Sequence, residues 1–130
     1  MVAAAYLRRY TGRKVKDGVV SESAFVEPTG EDLSFTACAG LWDDNALGDY
    51  QTSWKIPASG NIPGVIEMFN GCFPAAGLSC PEPEPVAGEP YGELHCALAP
   101  PDETQRMALA DEATKGLADG ARHLPYVRAK

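Results

Sequence analysis

Between Pro81 and Pro90 the chain reads Pro-Glu-Pro-Glu-Pro-Val-Ala-Gly-Glu-Pro, four prolines and three glutamates in ten positions. Proline lacks an amide hydrogen and fixes φ, so this stretch can be neither a helix interior nor a central strand. It has to run extended at the surface, along a polyproline-like path. As a stiff connector it delivers the chain into Tyr91-Gly92-Glu93-Leu94-His95-Cys96-Ala97-Leu98, which reads as a strand walled off on its far side by Pro100-Pro101. Strand alternation then puts Leu94, Cys96 and Leu98 on a core face, and Glu93, His95 and Ala97 on the opposite face. The proline-glutamate run also offers a motif to a proline-reading partner.

The rest of the chain supplies a sheet and helices for that strand to join. Tyr6–Tyr10 reads as a strand, and Asp17-Gly18 before Val19-Val20 is a turn signal. Ser21–Phe25 suits one capped helical turn, and Pro28-Thr29-Gly30-Glu31-Asp32 a loop. Leu33–Cys38 and Val65–Phe69 are clear strands, and Trp54-Lys55-Ile56 reads as a short one closed by Pro57. A helix face is spaced over residues 41–51. The best helix spans 102–119, opened by Pro100-Pro101-Asp102-Glu103 and stopped at Gly120. Its inward stripe is expected to be Met107, Ala110, Ala113 or Thr114, and Leu117, with Asp111 and Lys115 paired on the outer face. The expected fold is a single α+β domain over 1–130, with 121–130 as a tail. Its sheet is mixed or mostly antiparallel, with four or five short strands and the C-terminal helix packed on one face.

Charge is unevenly placed. Arg8, Arg9, Arg13, Lys14 and Lys16 precede every acid, whereas all 18 acidic residues lie within 17–119, for a net charge of −7. A small basic end on an acidic protein attracts nucleic acid weakly at physiological salt, so general nucleic-acid binding is disfavoured. No stretch is long and apolar enough to span a membrane. Met1–Leu7 precedes its arginines, the wrong polarity for a secretory signal, so a cytoplasmic location is expected. There Cys38, Cys72, Cys80 and Cys96 stay reduced. They contain no C-x-x-C pair, and the adjacent His95 and Cys96 face opposite ways on a strand. No metal is therefore expected, and the thiols read as small apolar groups.

Phosphate-binding loops, nucleophile elbows and metalloprotease motifs are missing, which leaves catalysis open but unsigned. A Cys-His nucleophile pair would need His123 beside Cys38, Cys72 or Cys80. A second constellation is Arg8 or Arg9 on the first strand, Ser34 and Thr36 on the next, and His95 on a later one. Converging on one polar face, these side chains suit a phosphorylated or nucleotide-like anion, with His95 as the candidate catalytic group.

The order Leu7-Arg8-Arg9, Asp17-Gly18-Val19-Val20-Ser21, Ser23-Ala24-Phe25, Leu33-Ser34, His95 and a closing alanine-rich helix resembles a family of short bacterial and phage proteins. Its pattern runs D-G-x-[VI]-S-x-x-A-F, L-S-V and a late H-A; this chain departs from it at Phe35 and Cys96. The family has no assigned activity, so the resemblance implies one domain and a bacterial or phage source, and no site residue. Two functional expectations follow from the residues. The first is a small acidic, non-enzymatic binding or regulatory module without cofactor, acting through a protein partner. The second is an enzyme or ligand-binding domain for a nucleotide-like anion, using Arg8 or Arg9, Ser34, Thr36 and His95.

Overall fold

Ala5–Tyr10 forms β1, a strand buried on both sides, and the rest of the sheet is laid out around it. The computed structural model describes residues 4–38 and 42–129. Its further strands are β2 (Val15–Lys16), β3 (Val19–Val20), β4 (Leu33–Cys38), β5 (Gly64–Phe69), β6 (Glu82–Pro83), β7 (His95–Leu98) and β8 (His123–Leu124). The helices are α1 (Asp44–Ser53), α2 (Cys72–Ala75) and α3 (Glu103–Ala118). Six strands form one sheet in the order β6-β7-β4-β1-β5-β8, and β2 and β3 form a separate hairpin. The pairings are antiparallel.

Both faces of the sheet are covered. On one side Tyr6, Phe35, Ile66, Met68 and Cys96 pack with Phe73 of α2 and with Leu109, Ala110 and Ala113 of α3. Phe73 meets Tyr6 and Phe35 edge-on, each with ring centres 5.3 Å apart, the arrangement that ring quadrupoles favour. On the other side Leu7, Cys38 and Val65 pack with Leu47 and Tyr50 of α1. This second helix layer explains why β1 and β5 are buried at nearly every residue instead of at every second one. The fold is the expected α+β arrangement, with α3 on one face of an antiparallel sheet. It has six strands because β6 and β8 add two-residue edges.

Local signals explain most of the elements. Asp17 and Gly18 both have positive φ, 53° and 77°, as a two-residue turn between twisted strands requires. Asp102 caps α3, its side chain accepting from the Gln105 amide while the Gln105 side chain accepts from the Asp102 amide. The stripe of α3 is rotated from the expected one. Met107 is 54% exposed, while Leu109, Ala110, Ala113 and Gly116 face inward. Small residues let α3 lie close, and a Cβ on Gly116 would meet Phe69 at 3.7 Å. Lys115 pairs with Glu112 at 3.2 Å, not with Asp111.

Two expected strands are otherwise. Trp54 ends α1, its amide donating to the Gln51 carbonyl and the next amide, of Lys55, to the Thr52 carbonyl, so helix capping outweighs the strand preference of Trp54-Lys55-Ile56. Gly92–Leu94 is a 3₁₀ turn, and the strand begins only at His95. The Val86 amide donates to the Gly92 carbonyl, and a Cβ on Gly92 would lie 1.8 Å from the Val86 carbonyl oxygen. The chain crosses too tightly there for a straight strand.

The proline-glutamate run is the edge strand β6 and its continuation. Glu84 and Val86 turn their amides inward, to the carbonyls of His95 and Gly92. Strand alternation makes Pro83 and Pro85 the residues whose amide nitrogens face outward. Prolines thus stand where an edge would offer donors to another chain, and this edge presents acceptors only. Replacing Pro83 with Val restores one outward N–H without touching an inward bond. Sedimentation of the Pro83→Val variant should show concentration-dependent self-association that the parent lacks; an unchanged monomer-to-oligomer ratio would count against the edge's protective role.

Candidate functional site

The central strand is paired unequally. With β5 it pairs through to Tyr10↔Gly64, whereas its ladder with β4 stops at Leu7↔Thr36. Beyond that point β4 goes on pairing with β7 as far as Leu33↔Leu98. Strands β1 and β4 therefore fork, and Arg8 fills the fork. Its side chain is 4% exposed. Nε donates to the Ala24 carbonyl at 2.9 Å, and Nη1 donates to Glu27 at 3.0 Å and to the Ser34 carbonyl at 3.1 Å. The guanidinium also lies over the Phe35 ring, 5.7 Å from its centre. Burial pulls its pKa down and Glu27 opposes this; a guanidinium stays charged through such a change.

The fork opens into a cleft of about 620 Å³, within the ~300–1,000 Å³ typical of ligand sites. Arg9 extends from the other face of β1, its guanidinium carbon 3.4 Å from the centre of the Trp54 ring. Such a stack fixes the plane of the group and leaves its edge for partners. Beneath it Tyr50 is buried, its hydroxyl 2.7 Å from Thr36 Oγ1. Burial raises the Tyr50 pKa, and the charge of Arg9 with hydrogen bonds from Thr36 and Arg9 opposes the rise. Lys14, Glu31 and Asp32 also line the cleft, with Val26, Pro28, Ile56 and Pro63 as apolar wall. Among the described residues Arg9, Lys14, Glu31 and Asp32 form no ion pair. The indole Nε1 of Trp54 is buried without a hydrogen-bond partner among them.

Of the residues marked from sequence, the cleft gathers Arg8, Arg9 and Ser34, and it does not include Thr36 or His95. Arg8 and Arg9 leave β1 on opposite faces, as successive strand residues must. Thr36 is paired with His95 across β4 and β7, but each is engaged elsewhere, Thr36 by Tyr50. The His95 ring lies with Nδ1 2.7 Å from the Glu84 carbonyl oxygen. A carbonyl only accepts, so Nδ1 carries the proton. The backbone amide of His95 goes to Gly92, and its ring thus answers the Glu84 carbonyl, adding a second bond beside that of the Glu84 amide to the His95 carbonyl. Trp54, Lys14 and Glu31 were not singled out, because nothing in their spacing links them before the fork exists.

Three of the thiols are held protonated: burial raises Cys72 and Cys96, and burial followed by Glu67 pushes Cys38 up to about 12. Such groups are poor nucleophiles. His123 is bonded through Nε2 to the Tyr10 hydroxyl and stacked on that ring, and burial lowers its pKa. Among the described residues no three His, Cys, Asp or Glu side chains are grouped to hold a metal ion. No helix described is long and apolar enough to cross a membrane. Compared with protein-family models, with curated proteins and with solved structures, the chain matches none.

Removing the His95 ring should loosen the proline run at Glu84, leaving its backbone bonds to β7. His95→Ala should lower stability by about 1–3 kcal/mol, the usual cost of losing a buried hydrogen-bond partner, and should speed hydrogen exchange at the Glu84 amide. Unchanged exchange and melting temperature would free His95 from this structural duty.

Proposed function

We propose that this chain is a non-enzymatic binding module that works through a protein partner, and that the cleft at the β1–β4 fork is the surface it uses. The observation that carries this reading is the lining of the cleft: apolar walls and, in Arg9, Lys14, Glu31 and Asp32, charges of both signs that form no ion pair among the described residues, in one open volume. That mixture suits a segment of another protein, whose side chains supply both apolar area and charge. A nucleotide-like anion is less well served. Glu27, Glu31 and Asp32 share the cleft with the arginines and oppose a doubly charged phosphate, and His95 stands apart from it. The net charge of −7 also favours encounter with basic surfaces.

Capture from a lysate of the native host, by the parent chain and by an Arg9→Ala, Trp54→Ala double variant, tests the reading. A protein retained by the parent and lost with the variant, both folded by circular dichroism, is the expected result. Equal retention by both, or none by either at low salt, would sink it. Calorimetry with ATP should give no saturable heat; saturable binding lost on Arg9→Ala would favour the anion reading instead.

A further inference from the structure

We propose that the cleft recognises an extended peptide in which an apolar residue lies between an acidic and a basic one. The carboxylate seats on Arg9, and the cation faces Glu31 and Asp32. This deepens the partner-binding reading and rests on it.

The electrostatics of the cleft lead to this ligand. Arg8 is already answered by Glu27 at 3.0 Å and by two backbone carbonyls, so it is part of the floor and has little left to offer. Arg9 is different: its face is held by Trp54 and it is bonded to the neutral Tyr50 hydroxyl, but among the described residues it makes no ion pair, nor does Lys14. A guanidinium fixed in plane presents two parallel N–H groups that match a carboxylate. Glu31 and Asp32, both exposed, line the same cleft without reaching within ion-pair distance of these cations. Opposite charges that share a volume and do not neutralise one another complement a ligand carrying both signs. A lone anion satisfies one half of the cleft and is repelled by the other, whereas a peptide satisfies both.

The apolar residue follows from the walls. Ile56 and Val26 are 39% and 46% exposed, and both line this cleft together with Pro28 and Pro63. An aliphatic side chain placed there covers them. The fork supplies the backbone setting, since β1 beyond Leu7 is not laddered to β4, and an extended segment can run along the opening.

Selection of a displayed library of random heptapeptides on the immobilised parent chain tests the proposal, followed by calorimetry on a synthetic copy of the enriched sequence. Enrichment of an acidic, an apolar and a basic residue in close succession is expected. Arg9→Gln should weaken that peptide about ten- to a hundredfold, the loss of a charge-assisted hydrogen bond. The same substitution should leave unaffected a peptide whose acid is replaced by its amide. Asp32→Asn should act in the same way through the basic residue. Neither inorganic phosphate nor ATP at millimolar concentration should compete. Enriched sequences without an acid, no enrichment, equal loss for the amide peptide, or competition by phosphate would each overturn it. If host capture still depends on Arg9 and Trp54 while the selected peptides lack this pattern, the peptide chemistry fails and the partner-binding reading stands.

Discussion

Arg8 carries a full charge into the fork between two central strands, and the surrounding chain is arranged to answer it. A guanidinium in that position needs several acceptors, because an unpaired buried charge costs several kcal/mol. The Ala24 and Ser34 carbonyls and the Glu27 carboxylate provide them. Ser34 gives its carbonyl to a side chain where a ladder would place a strand amide. Residues 22–27 are drawn over the end of the sheet to bring the Ala24 carbonyl and Glu27 within reach, and they are tied to α3 in turn by Arg106 and Glu22 at 2.7 Å. The cleft is thus a by-product of solving the Arg8 problem. The fork cannot zip closed while the guanidinium occupies it.

The neighbouring arginine shows how much one step along a strand changes. Arg9 points to the α1 side, where an aromatic group of Trp42, Tyr50, Trp54 and Tyr91 is packed ring against ring. Among the described residues no carboxylate pairs with it there, and the Trp54 face holds its plane. Arg8 is a structural cation with its partners supplied, while Arg9 is held in plane and makes no ion pair among the described residues.

Much of this fold was legible in the residues. Alternation marked β4 and β5, Asp17-Gly18 marked the hairpin, and the proline, acid and glycine punctuation marked α3. What stayed hidden depended on contacts between distant segments. The rotation of the α3 stripe was set by how closely Ala113 and Gly116 approach the sheet. The 3₁₀ turn before His95 was set by the returning chain at Val86. For the candidate site, the residue types on β1 and β4 drew notice to those strands, and Arg8, Arg9 and Ser34 do line one cleft. His95 stood out as one of two histidines, yet its ring is engaged by a carbonyl eleven residues away in sequence, which no local spacing reveals. The fork itself needs unequal ladders, and the two sides of β1 are indistinguishable until its neighbours are known.

The alternation of proline and glutamate along the edge has a consequence for how this segment can change its length. Inward and outward positions trade places with every residue added or removed. A single deletion would swing proline nitrogens toward β7, where donors are needed, and free amides toward solvent, where they are unwanted. Both the fastening by His95 and the blunting of the edge would fail together. Changes of two residues keep the phase. The segment therefore tolerates substitution of its glutamates far more readily than any odd change in its length, and its reading frame is one of parity, counted in twos along the backbone.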